Sequence, residues 1–277
     1  MGERDMESSF RGEHRPEVLP VEEIVEETPK VKSFYVNSPR ISSASKPGQF
    51  VMVWVIGVDE VPMAVSKVRD DGTVGITVEK VGDATSKLHE LVEGDLIGIR
   101  GPYGEGFDLS GEKLLVVCGG CGTAPLAYAV EEAVEAGKEV TVVLTAKTAE
   151  DLIFRERFED LDVNLIVGTE DGTAGIEGLT TDVLEEVDFE RGFDSSLICG
   201  PERMMAASAE MIENEGVSAQ VSLNRYMKCG IGICGQCSID DSGDRVCEEG
   251  PVFRYEEIKD GEFASYSRDS TGKKVDV

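Results

Sequence analysis

Between residues 17 and 100, short runs rich in valine and isoleucine alternate with polar and turn-forming residues. The runs lie at 18–25, 31–36, 50–55, 64–69, 73–78 and 95–99. Branching at Cβ crowds a helix but suits a pleated strand, so each run predicts a β-strand. Lys46-Pro47-Gly48 and Asp70-Asp71-Gly72 punctuate them as turns. About six such strands in one stretch predict a small antiparallel barrel. One interruption has helical spacing: Leu88, Leu91 and Val92 place an apolar stripe on a helix over 85–92.

After Gly111 the period changes. Buried strands at 113–118, 139–144, 163–167 and 196–199 alternate with helical patterns at 124–136, 149–158, near 181–186 and at 201–215. Strand alternating with helix predicts a parallel sheet covered on both faces. The fold class is a β-barrel plus an α/β unit. The expected division is a disordered tail over 1–16, the barrel over 17–109 and the parallel-sheet domain over 110–220. A small cysteine lobe over 221–262 and a polar tail over 263–277 complete it. No internal repeat is visible.

Composition narrows the class. The chain is 40% hydrophobic, enough for a real core. The longest apolar stretch, 50–58, is too short for a bilayer, and no signal-peptide pattern opens the chain, so a cytoplasmic protein without a membrane span is expected. Fifty-five acidic residues against 27 basic give a net charge of −28, which repels nucleic acid and anionic lipid. That excess suits solvation in a salty, acidic-proteome cytoplasm, or a docking surface for a basic partner. Without periodic clustering of the carboxylates, solvation is the simpler reading.

Four of the seven cysteines, Cys229, Cys234, Cys237 and Cys247, are separated by four, two and nine residues. That is not a secreted disulfide framework; it reads as a metal or redox site in a reducing compartment. Zinc sites usually pair two short C-x2-C knuckles, and only one is present. The opening C-x4-C-x2-C is the plant-type [2Fe–2S] spacing. Gly230, Gly232 and Gly235 let the loop wrap closely and aim N–H groups at an anion.

Two further loops suit nucleotides. Cys118-Gly119-Gly120-Cys121-Gly122-Thr123-Ala124-Pro125 joins a buried strand to a helix, where glycines and a helix N-terminus can receive a pyrophosphate. It is not a strict G-x-G-x-x-G, so a plain tight turn stays open. Cys199-Gly200-Pro201 ends a parallel strand, where a nicotinamide could lie; a buried cysteine before a proline-initiated helix reads as well. Met204 and Met205 are expected in the core. In the barrel, Gly82, Thr85 and Ser86 open a helix and suit either a phosphate or ordinary capping. Gly101-Pro102-Tyr103-Gly104 makes a turn whose Tyr103 could stack on a flat ring. His14 and His89, the only histidines, read as surface residues. No nucleophile–base pair stands out, which favours electron transfer by cofactors.

In order and spacing these motifs resemble the electron-transfer subunits of NAD-dependent dihydroorotate dehydrogenases, within the ferredoxin-reductase-like superfamily. The resemblance covers residues 17–258. It also rests on Lys46-Pro47-Gly48-Gln49-Phe50, on Asp171-Gly172-Thr173-Ala174-Gly175 with Gly178, and on Cys247-Glu248-Glu249-Gly250-Pro251. It implies FAD on the barrel, with contacts from Pro62, Met63, Ala64, Val65, Ser66, Val78, Gly82, Thr85, Ser86, Gly101 and Tyr103. It implies NAD against Gly119, Gly120, Gly122, Thr123, Ala124, Pro125, Cys199, Gly200 and Pro201, and a [2Fe–2S] cluster on the four cysteines. It also implies a separate FMN-containing catalytic subunit in a heterotetramer. Electrons from dihydroorotate would pass from that FMN through the cluster to FAD and then, as hydride, to NAD.

One departure matters. Where the family has Arg-Pro-x-Ser, this chain has Val61-Pro62-Met63-Ala64, losing a charge and a hydroxyl. Ser66 and Lys67 are the nearest substitutes. Lys147 suits a 2′-phosphate but has no basic neighbour in sequence, so NAD is preferred and NADP stays possible. Subunits of hydrogenases, sulfide dehydrogenases and ferredoxin–NADP oxidoreductases share the pattern, and a cluster-only adaptor without flavin is the reading of another class.

Overall fold

The computed structural model describes residues 14–277. Its first sheet contains β1 (Glu17–Pro20), β2 (Glu23–Thr28), β3 (Val31–Asn37), β4 (Phe50–Val55), β5 (Asp59–Val68), β6 (Thr73–Glu79) and β7 (Leu96–Tyr103). The strand order is β1-β7-β4-β5-β6-β3-β2, every neighbouring pair antiparallel. Period-two alternation turns Val51, Val53 and Val55 inward onto Val65, Ile76, Ile97 and Ile99, all buried. Two short helices, α1 (Pro39–Ala44) and α2 (Asp83–His89), sit at its ends.

The run at 18–25 is two strands rather than one. Pro20 has no N–H to continue a ladder, and the chain crosses there between the two edges of the sheet. Val21 N bonds Asp95 O at 2.8 Å while Glu22 N bonds Tyr35 O at 2.8 Å, which closes the barrel. β5 begins five residues earlier than the apolar run at 64–69. It pairs with β6 only from Val65 onward, so Pro62 lies where the far edge of β5 is open, a position proline tolerates.

The second sheet contains β8 (Lys113–Gly119), β9 (Glu139–Ala146), β10 (Asn164–Thr169), β11 (Ile176–Glu177), β12 (Ser195–Cys199), β13 (Ala219–Ser222) and β14 (Val252–Arg254). Their order is β11-β10-β9-β8-β12-β13-β14, parallel except for β14. Along β8, Leu114, Val116 and Cys118 pack on one face against α3 (Thr123–Glu135), while Leu115 and Val117 pack on the other. The helix expected over 149–158 breaks into a turn and the short α4 (Arg155–Glu159), with Phe154 left-handed between them at φ 62°. Leu152, Ile153 and Phe154 are buried in succession, which one face of a helix cannot do. α5 (Thr180–Leu184) and α6 (Glu202–Asn214) cover the other side.

The cysteine-rich stretch hangs between β13 and β14, so its ends are strands of this sheet. After α7 (Tyr255–Ile258) the expected polar tail is a hairpin of β15 (Tyr266–Arg268) and β16 (Lys274–Asp276), with Phe263 buried before it. Of the N-terminal tail expected over 1–16, residues 1–13 lie outside the described residues. Neither histidine is a plain surface residue. His14 stacks on Tyr103 with ring centroids 5.7 Å apart, and His89 Nε2 lies 2.9 Å from Val78 O.

Candidate cofactor cleft and cysteine loop

A cleft of about 980 Å³ runs between the barrel and the carboxyl ends of β8, β9 and β12, where open parallel sheets bind ligands. On the α/β side it is lined by Gly119, Gly120, Cys121, Gly122, Ala124 and Pro125 and by Cys199, Gly200 and Pro201. The glycines there serve different ends. Gly120 adopts φ +53°, and a Cβ on it would meet nothing within 4 Å, so its surface is open to a ligand. A Cβ on Gly122 would lie 2.5 Å from Gly200 N, so this glycine lets the two loops touch. Thr123 is buried, and its hydroxyl closes the turn by donating to Gly120 O at 2.8 Å.

Met204, expected in the core, instead reaches the cleft. Its Cε lies 2.4 Å from a Cβ built on Gly119 and 2.3 Å from one on Gly200. Met205 is buried as expected. Burial pushes the Cys121 thiol up to about 12, with the Glu79 carboxylate adding to it. Burial pushes Cys199 up to about 12 as well. Both thiols are therefore neutral near pH 7 and act as soft apolar wall rather than as nucleophiles.

On the barrel side Pro62, Met63 and Ala64 line the cleft, along the open half of β5, with Thr85 farther along. The Thr85 hydroxyl is occupied locally: it accepts from Val81 N and Gly82 N, both at 2.9 Å, and donates to Gly82 O. A Cβ on Gly82 would meet nothing within 4 Å, and Ser86 is half-buried beside it. Val65 and Val78 point into the barrel core, and Gly101 packs on Val51.

Neither expected substitute for the missing basic residue and hydroxyl lines the cleft. Ser66 is buried, accepting from Thr77 at 2.8 Å, and Lys67 pairs with Glu131 at 2.7 Å. Among the described residues the cations that do line it are Lys30, Lys147 and Arg203. Lys30 and Arg203 escape sequence reading because each reaches the cleft from a separate element.

The cysteine loop starts and ends in the same cleft, because Leu223, Asn224, Met227 and Pro251 also line it. All seven cysteines are free; Cys237 and Cys247 are buried, Cys229 half-buried and Cys234 exposed. Backbone amides within the loop are aimed at two of the four sulfurs. Cys234 N donates to Cys229 Sγ at 3.4 Å. The neighbouring Cys247 thiol lowers Cys237 to about 7, against the effect of burial. Gly232 N donates to Cys247 Sγ at 3.2 Å. Burial opposes ionisation of Cys229, but backbone N–H groups of Ile231, Ile233 and Cys234 prevail and hold its thiol below the ordinary range.

Among the described residues no three His, Cys, Asp or Glu side chains form a group suited to one metal ion. Four free cysteines in one loop, with amides aimed at sulfur, fit a two-iron cluster, which takes four thiolates.

Buried charges brace this loop. Arg225 Nε donates to Glu262 Oε1 at 2.9 Å, and Glu262 Oε2 accepts from Asp240 N at 3.0 Å. Arg225 also pairs with Glu202, at the start of α6. At the loop's far end Gly104 packs on Gly250, whose carbonyl would lie 2.4 Å from any Cβ added there.

Comparison with known proteins agrees with this geometry. The family model for the iron-sulfur cluster binding domain of dihydroorotate dehydrogenase B matches residues 224–259, and an oxidoreductase NAD-binding domain matches 116–210. The probable dihydroorotate dehydrogenase B (NAD(+)) electron transfer subunit of Methanocaldococcus jannaschii is 46% identical over 262 residues, covering 94% of this chain and 98% of its own. That of Methanothermobacter thermautotrophicus is 46% identical, covering 94% and 97%. This chain belongs to the dihydroorotate dehydrogenase B electron transfer subunits.

The structure of an NADH-dependent reduced ferredoxin-NADP oxidoreductase superposes on this family member with TM-score 0.79 at 33% identity, covering 86% of this chain and 88% of its own. The FAD/NAD-binding domain of a Vibrio cholerae nitric oxide dioxygenase shares the fold at 19% identity, with TM-score 0.66 over 75% of this chain and 98% of its own. The subunit is thus an oxidoreductase of ferredoxin-reductase-like fold that uses FAD, a [2Fe–2S] cluster and NAD. Among the described residues no helix is long and apolar enough to cross a membrane.

Proposed function

We propose that Cys229, Cys234, Cys237 and Cys247 hold the cluster, that FAD lies along Pro62, Met63 and Ala64, and that NAD enters over residues 119–125 and 199–201. In this reading the chain passes electrons between NAD and an FMN-containing subunit that oxidises dihydroorotate, in a cytoplasmic heterotetramer serving pyrimidine biosynthesis. The observation that carries it is the shared wall: Met227, two residues before Cys229, lines the same cleft as Ala64 and Cys199. When bound, the flavin exchanges electrons singly with the cluster and in pairs, as hydride, with nicotinamide.

The protein's own part is placement. The open edge of β5 presents backbone to a flat ring, Gly120 gives access to a pyrophosphate, and Lys30 supplies positive charge that residue 61 no longer carries. Met204 covers the junction of the two glycine loops, and the neutral thiols of Cys121 and Cys199 add no charge beside the reacting ring. The likeness to the ferredoxin-NADP oxidoreductase favours a second reading in which only the partner differs.

Anaerobic purification from the native cell, with iron, sulfide and flavin analysis and identification of the bound partner, tests the proposal. Expected are two irons, two sulfides and one FAD per chain, and dihydroorotate-dependent NAD reduction by the complex alone. A partner that does not oxidise dihydroorotate would overturn the first reading in favour of the second.

A further inference from the structure

A charged side chain of the barrel reaches the cysteine loop. Arg100, on β7, is 7% exposed although its guanidinium is charged. Glu60, opposite on the edge of β5, takes it in a fork: Nε to Oε1 at 2.7 Å and Nη2 to Oε2 at 2.5 Å. Nη1 donates to Tyr103 Oη at 3.2 Å, and that hydroxyl lies 3.2 Å from His14 Nδ1. Nη2 also donates to the main-chain carbonyl of Cys229 at 2.9 Å. Beside it Met52, the cross-strand partner of Arg100, lies under Gly230, where a Cβ would come within 2.7 Å of its Cγ. Cys229 and Gly230 are therefore seated directly on β4 and β7.

We infer that Arg100, held by Glu60, is a positioning residue that seats the cluster loop on the flavin-binding barrel through the Cys229 carbonyl and sets the cluster's reduction potential. A planar guanidinium can hold a carboxylate by two donors and still offer another donor to a third group, which a lysine ammonium cannot do in the same plane. Reduction adds negative charge to the cluster, and a buried cation bonded to a ligand residue favours the reduced form. The Glu60 carboxylate opposes this from one bond farther away. Burial of the guanidinium lessens the solvent screening of both charges.

The inference rests on the cluster assignment above, and its test separates the two. Arg100→Gln, Arg100→Lys and Glu60→Gln are made in the full complex, and the cluster is titrated anaerobically by electron paramagnetic resonance. Arg100→Gln is expected to lower the equilibrium constant for cluster reduction at least tenfold, about 59 mV for one electron. Glu60→Gln is expected to shift it the other way. Arg100→Lys should recover most of the potential while the signal broadens, because the charge returns without the fork. Should Arg100→Gln fail to retain iron, the nearly isosteric Glu60→Gln and the Arg100→Lys variant decide alone. Intact clusters whose potentials match the parent in every variant, or shifts of the same sign in the glutamine pair, would overturn the latch. Wild-type protein without iron, sulfide or signal would instead overturn the cluster assignment itself.

Discussion

At Gly122 the nucleotide loop has no room for a methyl group, since a Cβ would press on Gly200 N and the Cys199 carbonyl. Its helix-like φ of −62° would accept alanine, so the cost is steric alone. Overpacking of this kind costs about 1–3 kcal/mol. Gly122→Ala should therefore lower the melting temperature by several degrees and weaken NADH binding about tenfold, measured by calorimetry. Lys30 presents the contrasting case of a residue that faces open cleft. Lys30→Ala is expected to weaken FAD by about 1.5 kcal/mol, the loss of a charged hydrogen bond, read as flavin lost during gel filtration. Lys67→Ala, whose ammonium is held by Glu131, should leave flavin affinity unchanged. The cysteine spacing and the glycine loops were legible because their chemistry is local in sequence. Lys30, Met204 and Met227 were not, because no short-range pattern tells which side chain a distant loop will aim at a cleft.

Between elements, the barrel and the α/β unit are joined where α3 packs on β5. Glu131 of α3 takes Arg157 in a fork at 2.7 and 2.6 Å and Lys67 of β5 at 2.7 Å, while Arg157 also donates to Ser66 O at 3.0 Å. Burial works against ionising Glu131, but the two cations win and hold its carboxyl below the ordinary 4.5. A depressed carboxylate contributes stability that is fully present above about pH 4.5 and is lost as pH falls through its lower folded value. Glu131→Gln should thus cost about 1.5–3 kcal/mol near pH 7 and flatten the acid limb of a denaturation series below about pH 4.5. An acid limb of unchanged slope would show that other carboxylates govern it. The element pattern itself was readable where apolar runs were continuous and bounded by turn residues, as in β4 and β8. It misled at Pro20, at the open half of β5 and over 149–158, because sheet edges and consecutive buried positions are set by tertiary neighbours. β14 gave almost no signal, since three residues at a sheet edge carry no period.

Over the whole molecule, a net charge of −28 sets the background for every local interaction. Compactness forces those carboxylates together, and salt screens them with a Debye length of about 10 Å at 0.1 M and about 3 Å at 1 M. The melting temperature should rise steadily from 0.05 to 1 M KCl, followed by scanning calorimetry. A flat profile would mean that surface pairs such as Arg69–Glu23 and Lys259–Glu213 already neutralise the repulsion.

The cysteine loop adds a constraint on assembly. β13 and β14 are neighbours in one sheet, yet the chain between them is the entire cluster-bearing stretch, 223–251. Closing a flexible loop of that size costs on the order of 3 kcal/mol in lost chain freedom, while the strand it delivers contributes only three residues to the sheet's rim. Metal insertion and the last stitch of the sheet are thereby tied together: iron that gathers the loop delivers the strand, and chelation should loosen the hem before the cloth.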